Sequence, residues 1–109
     1  MSIRIKLSGH HVELTSALRD HVDTRTTRLA RHFDHLLELH MILHVEKERH
    51  QAEGKIPLPG TTLFAEAVAT DMYAAVDALV DKLDRQLIKY KEKHADHHQR
   101  EAQKSALHQ

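Results

Sequence analysis

Asp71-Met72-Tyr73-Ala74-Ala75-Val76-Asp77-Ala78-Leu79-Val80-Asp81-Lys82-Leu83-Asp84-Arg85-Gln86-Leu87-Ile88-Lys89-Tyr90-Lys91-Glu92-Lys93-His94 contains no Gly or Pro. It is rich in Ala, Leu, Lys and Arg, which favour helix. Met72, Val76, Leu79, Val80, Leu83, Leu87 and Tyr90 recur at helical steps and form one apolar stripe. The charges are sorted along the axis, with Asp71, Asp77 and Asp81 early and Lys89, Lys91 and Lys93 late, as the helix dipole favours. They are also sorted around it. With Lys82 at zero and about 100° per residue, the apolar stripe falls at roughly 60–160°. Lys82, Arg85, Lys89 and Lys93 fall within about 60° of zero, and Asp77, Asp81 and Asp84 at roughly 200–260°. A solvated face usually mixes signs, with acids and bases paired four residues apart. A basic flank with the acids kept off it is either a solvated helix face or a surface for an anionic partner.

Working outward, an earlier helix repeats the arrangement. It starts near Thr15, whose hydroxyl can cap it, and should end near Asp34-His35. Leu18, Val22, Leu29 and Phe33 make its apolar face, with Thr26 beside them. His21, Arg25, Arg28 and His32 share one flank, Arg31 lies a little further round, and Asp20 and Asp23 lie elsewhere.

The remaining segments read as strands. Ile3-Arg4-Ile5-Lys6-Leu7 alternates apolar and basic, and Ser8-Gly9-His10-His11 reads as a loop or turn. Leu39 to Glu46 sends Leu39, Met41, Leu43 and Val45 to one face and His40, Ile42, His44 and Glu46 to the other. Lys47 to Lys55 is polar and contains Gly54, so it reads as a loop or a fraying strand end. Ile56-Pro57-Leu58 reads as a short strand, although central strands avoid Pro. Pro59-Gly60 is a turn signal, and Thr62 to Ala69 is a strand leading into the organising helix. The order β-α-β-β-β-α predicts an α+β domain with two helices on one face of a four-stranded sheet. The first two strands should be parallel through a right-handed crossover. Residues 1–94 make the domain, and 95–109 read as a flexible, polar, His-containing tail after a frayed helix end.

With 109 residues the chain suits one domain with a modest core. Its 16 basic and 16 acidic residues cancel, so any nucleic-acid role must come from local sorting rather than bulk charge. Phe33, Phe64, Tyr73 and Tyr90 offer little for stacking on unpaired bases. No cysteine is present, which excludes disulfides and thiolate metal sites. No apolar run reaches transmembrane length, and Met1 to Lys6 is not a signal peptide, so a cytoplasmic protein without a membrane partner is expected.

Two other chemistries compete with RNA binding. Zinc takes imidazole, and the twelve histidines include His40 with His44, His32 with His35, and the cluster His94, His97 and His98. None brings a carboxylate or thiolate at a characteristic spacing, so no metal or other cofactor is expected. A histidine-rich zinc buffer or sensor on the same scaffold is the alternative reading. Catalysis lacks a nucleophile elbow, a Gly-rich phosphate loop and a cysteine, so neither an enzyme nor a small-molecule substrate is expected.

At this point the chain resembles a known family, the short ribosome hibernation promoting factors, also called ribosome-associated inhibitor or sigma-54 modulation proteins. The resemblance covers roughly residues 1–94. Its strongest segment is Asp71-Met72-Tyr73-Ala74-Ala75-Val76-Asp77, continuing through Leu79, Lys82-Leu83, Arg85-Gln86-Leu87 and Lys89. Gly9, Val12-Glu13-Leu14-Thr15 and Ala17-Leu18-Arg19 match the family's opening motif, and Val45-Glu46-Lys47 the end of its second strand. The resemblance implies the same β-α-β-β-β-α fold, similar to double-stranded RNA-binding domains. It also implies binding to the small ribosomal subunit in the channel of messenger RNA and the A- and P-site transfer RNAs, silencing translation in starvation or stationary phase. By position, Arg25, Arg28 and Arg31 on the first helix and Lys82, Arg85, Lys89 and Lys93 on the second would contact ribosomal RNA. Asp71 and Tyr73 would lie near that surface, and Lys91 is added to it as a candidate.

Pro57 falls where the family has a regular third strand, which predicts a kink or break there. The acidic tail of the ribosome-associated inhibitor branch and the C-terminal dimerisation domain of the long factors are missing from these residues. Pairing of ribosomes would then need a separate ribosome modulation factor as a further partner. One of the family's names suggests a third reading, a modulator of a sigma factor. Histidines gain charge toward pH 6, so those on the first helix predict tighter RNA binding near pH 6 than pH 8.

Overall fold

A computed structural model describes residues 3–33 and 36–107, with side chains through Lys93. Its elements are β1 (Ile3–His10), α1 (Ser16–Thr26) continued by a 3-10 segment (Thr27–His32), β2 (Leu37–Glu46), β3 (Arg49–Leu58), β4 (Thr61–Ala69) and α2 (Met72–Leu107). The strands form one sheet in the order β1-β2-β3-β4. β1 and β2 are parallel, as the crossover rule requires, and the other two pairs are antiparallel hairpins.

The period-two pattern decides which face is buried. Leu37, Leu39, Met41 and Leu43 of β2, Ala52, Gly54 and Ile56 of β3, and Ala65 and Ala67 of β4 all point to the helical layer. Leu18, Val22 and Leu29 meet them from the first helical stretch, and Met72, Val76, Leu79, Val80, Leu83 and Leu87 from α2. β3 and β4 present small residues here, so α2 sits close. A Cβ at Gly54 would stand 2.9 Å from Leu83 Cδ1 and 3.3 Å from Leu79 Cδ2. Only a residue without a side chain leaves that space.

Three sequence expectations are corrected. β1 continues through Ser8, Gly9 and His10, which pair with Ile42, Leu43 and His44, and the chain turns at His11, with φ 59°. Residues 49–58 form one regular strand rather than a loop followed by a short strand. Pro57 neither kinks nor breaks it. Leu58 and Thr61 close the two-residue Pro59-Gly60 turn, with Gly60 at φ 84°, a conformation suited to glycine. Hydrogen-bonded and non-hydrogen-bonded pairs alternate along an antiparallel ladder, so the adjacent pair Pro57–Thr62 is of the second kind. The nitrogen of Pro57 therefore faces the β2 side, where pairing has already ended at Lys55. The missing N–H interrupts no ladder bond.

α1 begins as read. Thr15 caps it, its Oγ1 accepting from Leu18 N at 3.2 Å. Thr15→Ala should destabilise the fold by about 1 kcal/mol, measured as a lower denaturant midpoint. An unchanged midpoint would mean the cap contributes nothing. The α-helical geometry then tightens at Thr27. Thr26 Oγ1 donates to Val22 O at 2.7 Å and Thr27 Oγ1 to Asp23 O at 2.8 Å. Two successive β-branched residues bonding back to the preceding turn compete with the regular ladder. The expected helix end at Asp34-His35 lies outside the described residues. α2 begins one residue after Asp71, whose Oδ1 accepts from Ala74 N at 2.9 Å, and its backbone stays helical to Leu107. The side chains of the segment read as a tail lie outside the description.

Candidate nucleic-acid interface

α2 runs between two neighbours, β4 on one flank and the first helical stretch on the other. Toward β4, three side chains at successive four-residue steps cap main-chain carbonyls. Lys82 Nζ donates to Glu66 O at 2.7 Å, Gln86 Nε2 to Phe64 O at 2.8 Å and Tyr90 Oη to Pro59 O at 3.0 Å. Lys82, read as an RNA contact, is thus already engaged with the sheet edge. An ammonium has three donors, so it can serve a second acceptor as well.

On the other flank lies a seam of ion pairs. Asp77 Oδ1 meets His21 Nε2 at 2.8 Å and Arg25 Nε at 3.2 Å. Arg28 pairs closely with Asp81 and reaches Asp84 Oδ2 at 3.9 Å. Asp84 Oδ1 meets His32 Nε2 at 2.7 Å. Partners ascend together in sequence, so the two helical stretches run the same way. The acids that the helical wheel separates from α2's own lysines are therefore the ones that hold the arginines of the first helix. The signal was present in the spacing: bases at 21, 25, 28 and 32 match acids at 77, 81 and 84. Tyr73 is exposed at the head of this seam, its ring 4.9 Å from that of His21 in a T-shaped contact.

The structure therefore divides the sequence candidates into two groups. Arg25 and Arg28 are half-tied to carboxylates but still line a groove of ≈650 Å³ that also includes Arg31 and the acids Asp77 and Asp81. Lys89 and Lys93 line a second groove of ≈410 Å³ between α2 and the Pro59-Gly60 turn. Arg31, Arg85, Lys89, Lys91 and Lys93 are exposed and make no ion pair or hydrogen bond with the described residues. Asp71 serves as the α2 cap. The histidines read on the first helix, His21 and His32, face Asp77 and Asp84 within this seam rather than standing free on the surface.

Among the described residues no group of three or more His, Asp or Glu gathers as metal ligands. His94, His97 and His98 lie outside the described side chains. No described helix is long and apolar enough to cross a membrane.

Comparison with known proteins agrees with this architecture. A family model described as sigma 54 modulation protein / S30EA ribosomal protein matches residues 5–95. A ribosome hibernation promoting factor of Azotobacter vinelandii is 44% identical over 97 residues, covering 89% of this chain and 91% of that one. Among solved structures, the N-terminal domain of Thermus thermophilus Protein Y superposes with a TM-score of 0.74 at 34% identity, covering 83% of this chain and 99% of its own. A ribosomal subunit interface protein from Coxiella burnetii gives 0.72, also at 34% identity, covering 84% and 99%. These likenesses define the class, ribosome-associated factors that share this domain. Within it, the chain belongs to the sigma 54 modulation protein / S30EA ribosomal protein family. Ribosome hibernation is the role that this membership supports, with the ribosome as partner.

Proposed function

We propose that the chain silences translation by occupying the small ribosomal subunit where messenger RNA and the A- and P-site transfer RNAs pass. The mechanism is occlusion without catalysis. The observation that carries it is the set of exposed cations Arg31, Arg85, Lys89 and Lys93, which have no partner among the described residues. Each would neutralise an RNA phosphate. Arg25, Arg28 and Lys82 add contacts through donors their protein partners leave over, and Asp71, Tyr73 and Lys91 border the surface. Phosphate contacts supply affinity and orientation but little base information, which suits a surface poor in aromatics. Selectivity then comes from the shape of the channel. The ribosome places this activity in the cytoplasm. A separate ribosome modulation factor would be a further partner where ribosomes pair.

Co-sedimentation of the purified protein with small ribosomal subunits over a salt series tests this reading. With about five to seven phosphates engaged, log K should fall linearly with log salt, at a slope of about −4 to −6. Stoichiometric pelleting that is insensitive to salt, or no pelleting at low salt, would refute it.

A further inference from the structure

The two outer strands of the sheet are finished differently. On β4, the carbonyls of Glu66 and Phe64 are capped by Lys82 and Gln86, and the carbonyl of Pro59 in the adjoining turn by Tyr90. No described side chain caps the other outer strand. β1 pairs with β2 on one side only and otherwise packs against the 3-10 segment. Every second residue of Ile3–Ser8 thus turns its N–H and C=O away from the sheet, and no hydrogen bond from a described residue meets them. The far end of the strand is shielded, since Val12 and Leu14 fold beside Gly9. An uncapped edge of this kind is a template for another strand.

The side chains along the edge define what fits. Ile3, Ile5 and Leu7 are half-buried on the core face and would continue as an apolar row. Arg4 and Lys6 project from the open face. Arg4 has Glu38 opposite at 3.7 Å, with its side chain 71% exposed, whereas Lys6 lies opposite His40 and has no acid across from it. A second copy pairing antiparallel about Ile5 would set Arg4 against Lys6 and Lys6 against Arg4, a like-charge juxtaposition that disfavours self-association. An acidic residue at those positions, alternating with apolar ones, complements both faces. We propose that the β1 edge is a docking site for an extended partner-protein segment that alternates apolar and acidic residues and joins the sheet as a fifth strand.

The test uses the full chain, labelled for amide NMR, and two short capped peptides. One alternates valine with glutamate and the other valine with lysine. The glutamate peptide should shift the amides of Ile3–Ser8 saturably and slow their hydrogen exchange. It should bind about tenfold more tightly than the lysine peptide, as expected when two cross-strand pairs change from opposite to like charge. The Arg4→Glu, Lys6→Glu double variant should invert that preference. Equal binding of both peptides, shifts confined to α1 and α2, or no binding would overturn the proposal. So would protection of the β1 amides in a dimer of the protein alone, because a second copy would then fill the edge.

Discussion

Replacing Arg85 and Lys89 together by glutamate should abolish co-sedimentation with small ribosomal subunits at moderate salt. It should also reduce the salt slope by about 2, one for each lost phosphate contact. This pair is the cleanest choice the structure offers. Both side chains are exposed on α2 and neither bonds a described residue, so their reversal leaves the packing intact. Reversing Lys82 would also uncap the Glu66 carbonyl, and reversing Arg25 would set two carboxylates against each other at Asp77. Either would confuse a folding defect with a binding one. An unchanged thermal midpoint beside lost binding is the expected signature. Retained binding would move the RNA contact off α2 and sink the proposed interface.

Leu83→Ala should destabilise the domain by about 2–5 kcal/mol, the range for a fully buried leucine. The cavity opens directly above Gly54. Gly54→Ala in the unaltered protein should also destabilise, by about 1–3 kcal/mol, because the new methyl presses on Leu83 Cδ1. Combined, the two changes should cost less than their sum, since the added methyl enters the space vacated. A coupling of at least about 0.5 kcal/mol is expected from a double-mutant cycle read by denaturant unfolding. Strict additivity would mean that α2 shifts away from β3 rather than holding its position.

The fold is legible where one physical signal dominates. α2 announces itself by an unbroken helical period, α1 by Thr15 before its first apolar residue, and β2 by strict alternation. The β2–β3 hairpin is hidden because its turn is Lys47-Glu48, with Lys47 at φ 58° and none of the Gly, Asn or Pro that mark such turns. β3 itself mixes polar residues with Gly54 and Pro57, and it is a strand because its neighbours make it one. For the site, a helical wheel assigns each charge to a flank but cannot say what stands beside that flank. It separated Lys82 from Asp81 correctly, yet Lys82 bonds a carbonyl of β4 and Asp81 an arginine of the 3-10 segment. Arg85 and Lys89 make no ion pair or hydrogen bond with a described residue, so the exposed flank on which the wheel puts them is the one they occupy.

The row Asp77, Asp81 and Asp84 bears on how the molecule finds its target. Non-specific affinity for RNA is set by uncompensated cations on the protein surface. With Arg25 and Arg28 held against carboxylates, the proposed interface would show a weakened field to bulk RNA, and the protein would be less readily titrated away by non-specific polyanion. A cleft that presents phosphates from several directions can still recruit the leftover donors. On the proposed function, local neutrality would be a search property, keeping the protein diffusing until it meets a surface of matching shape.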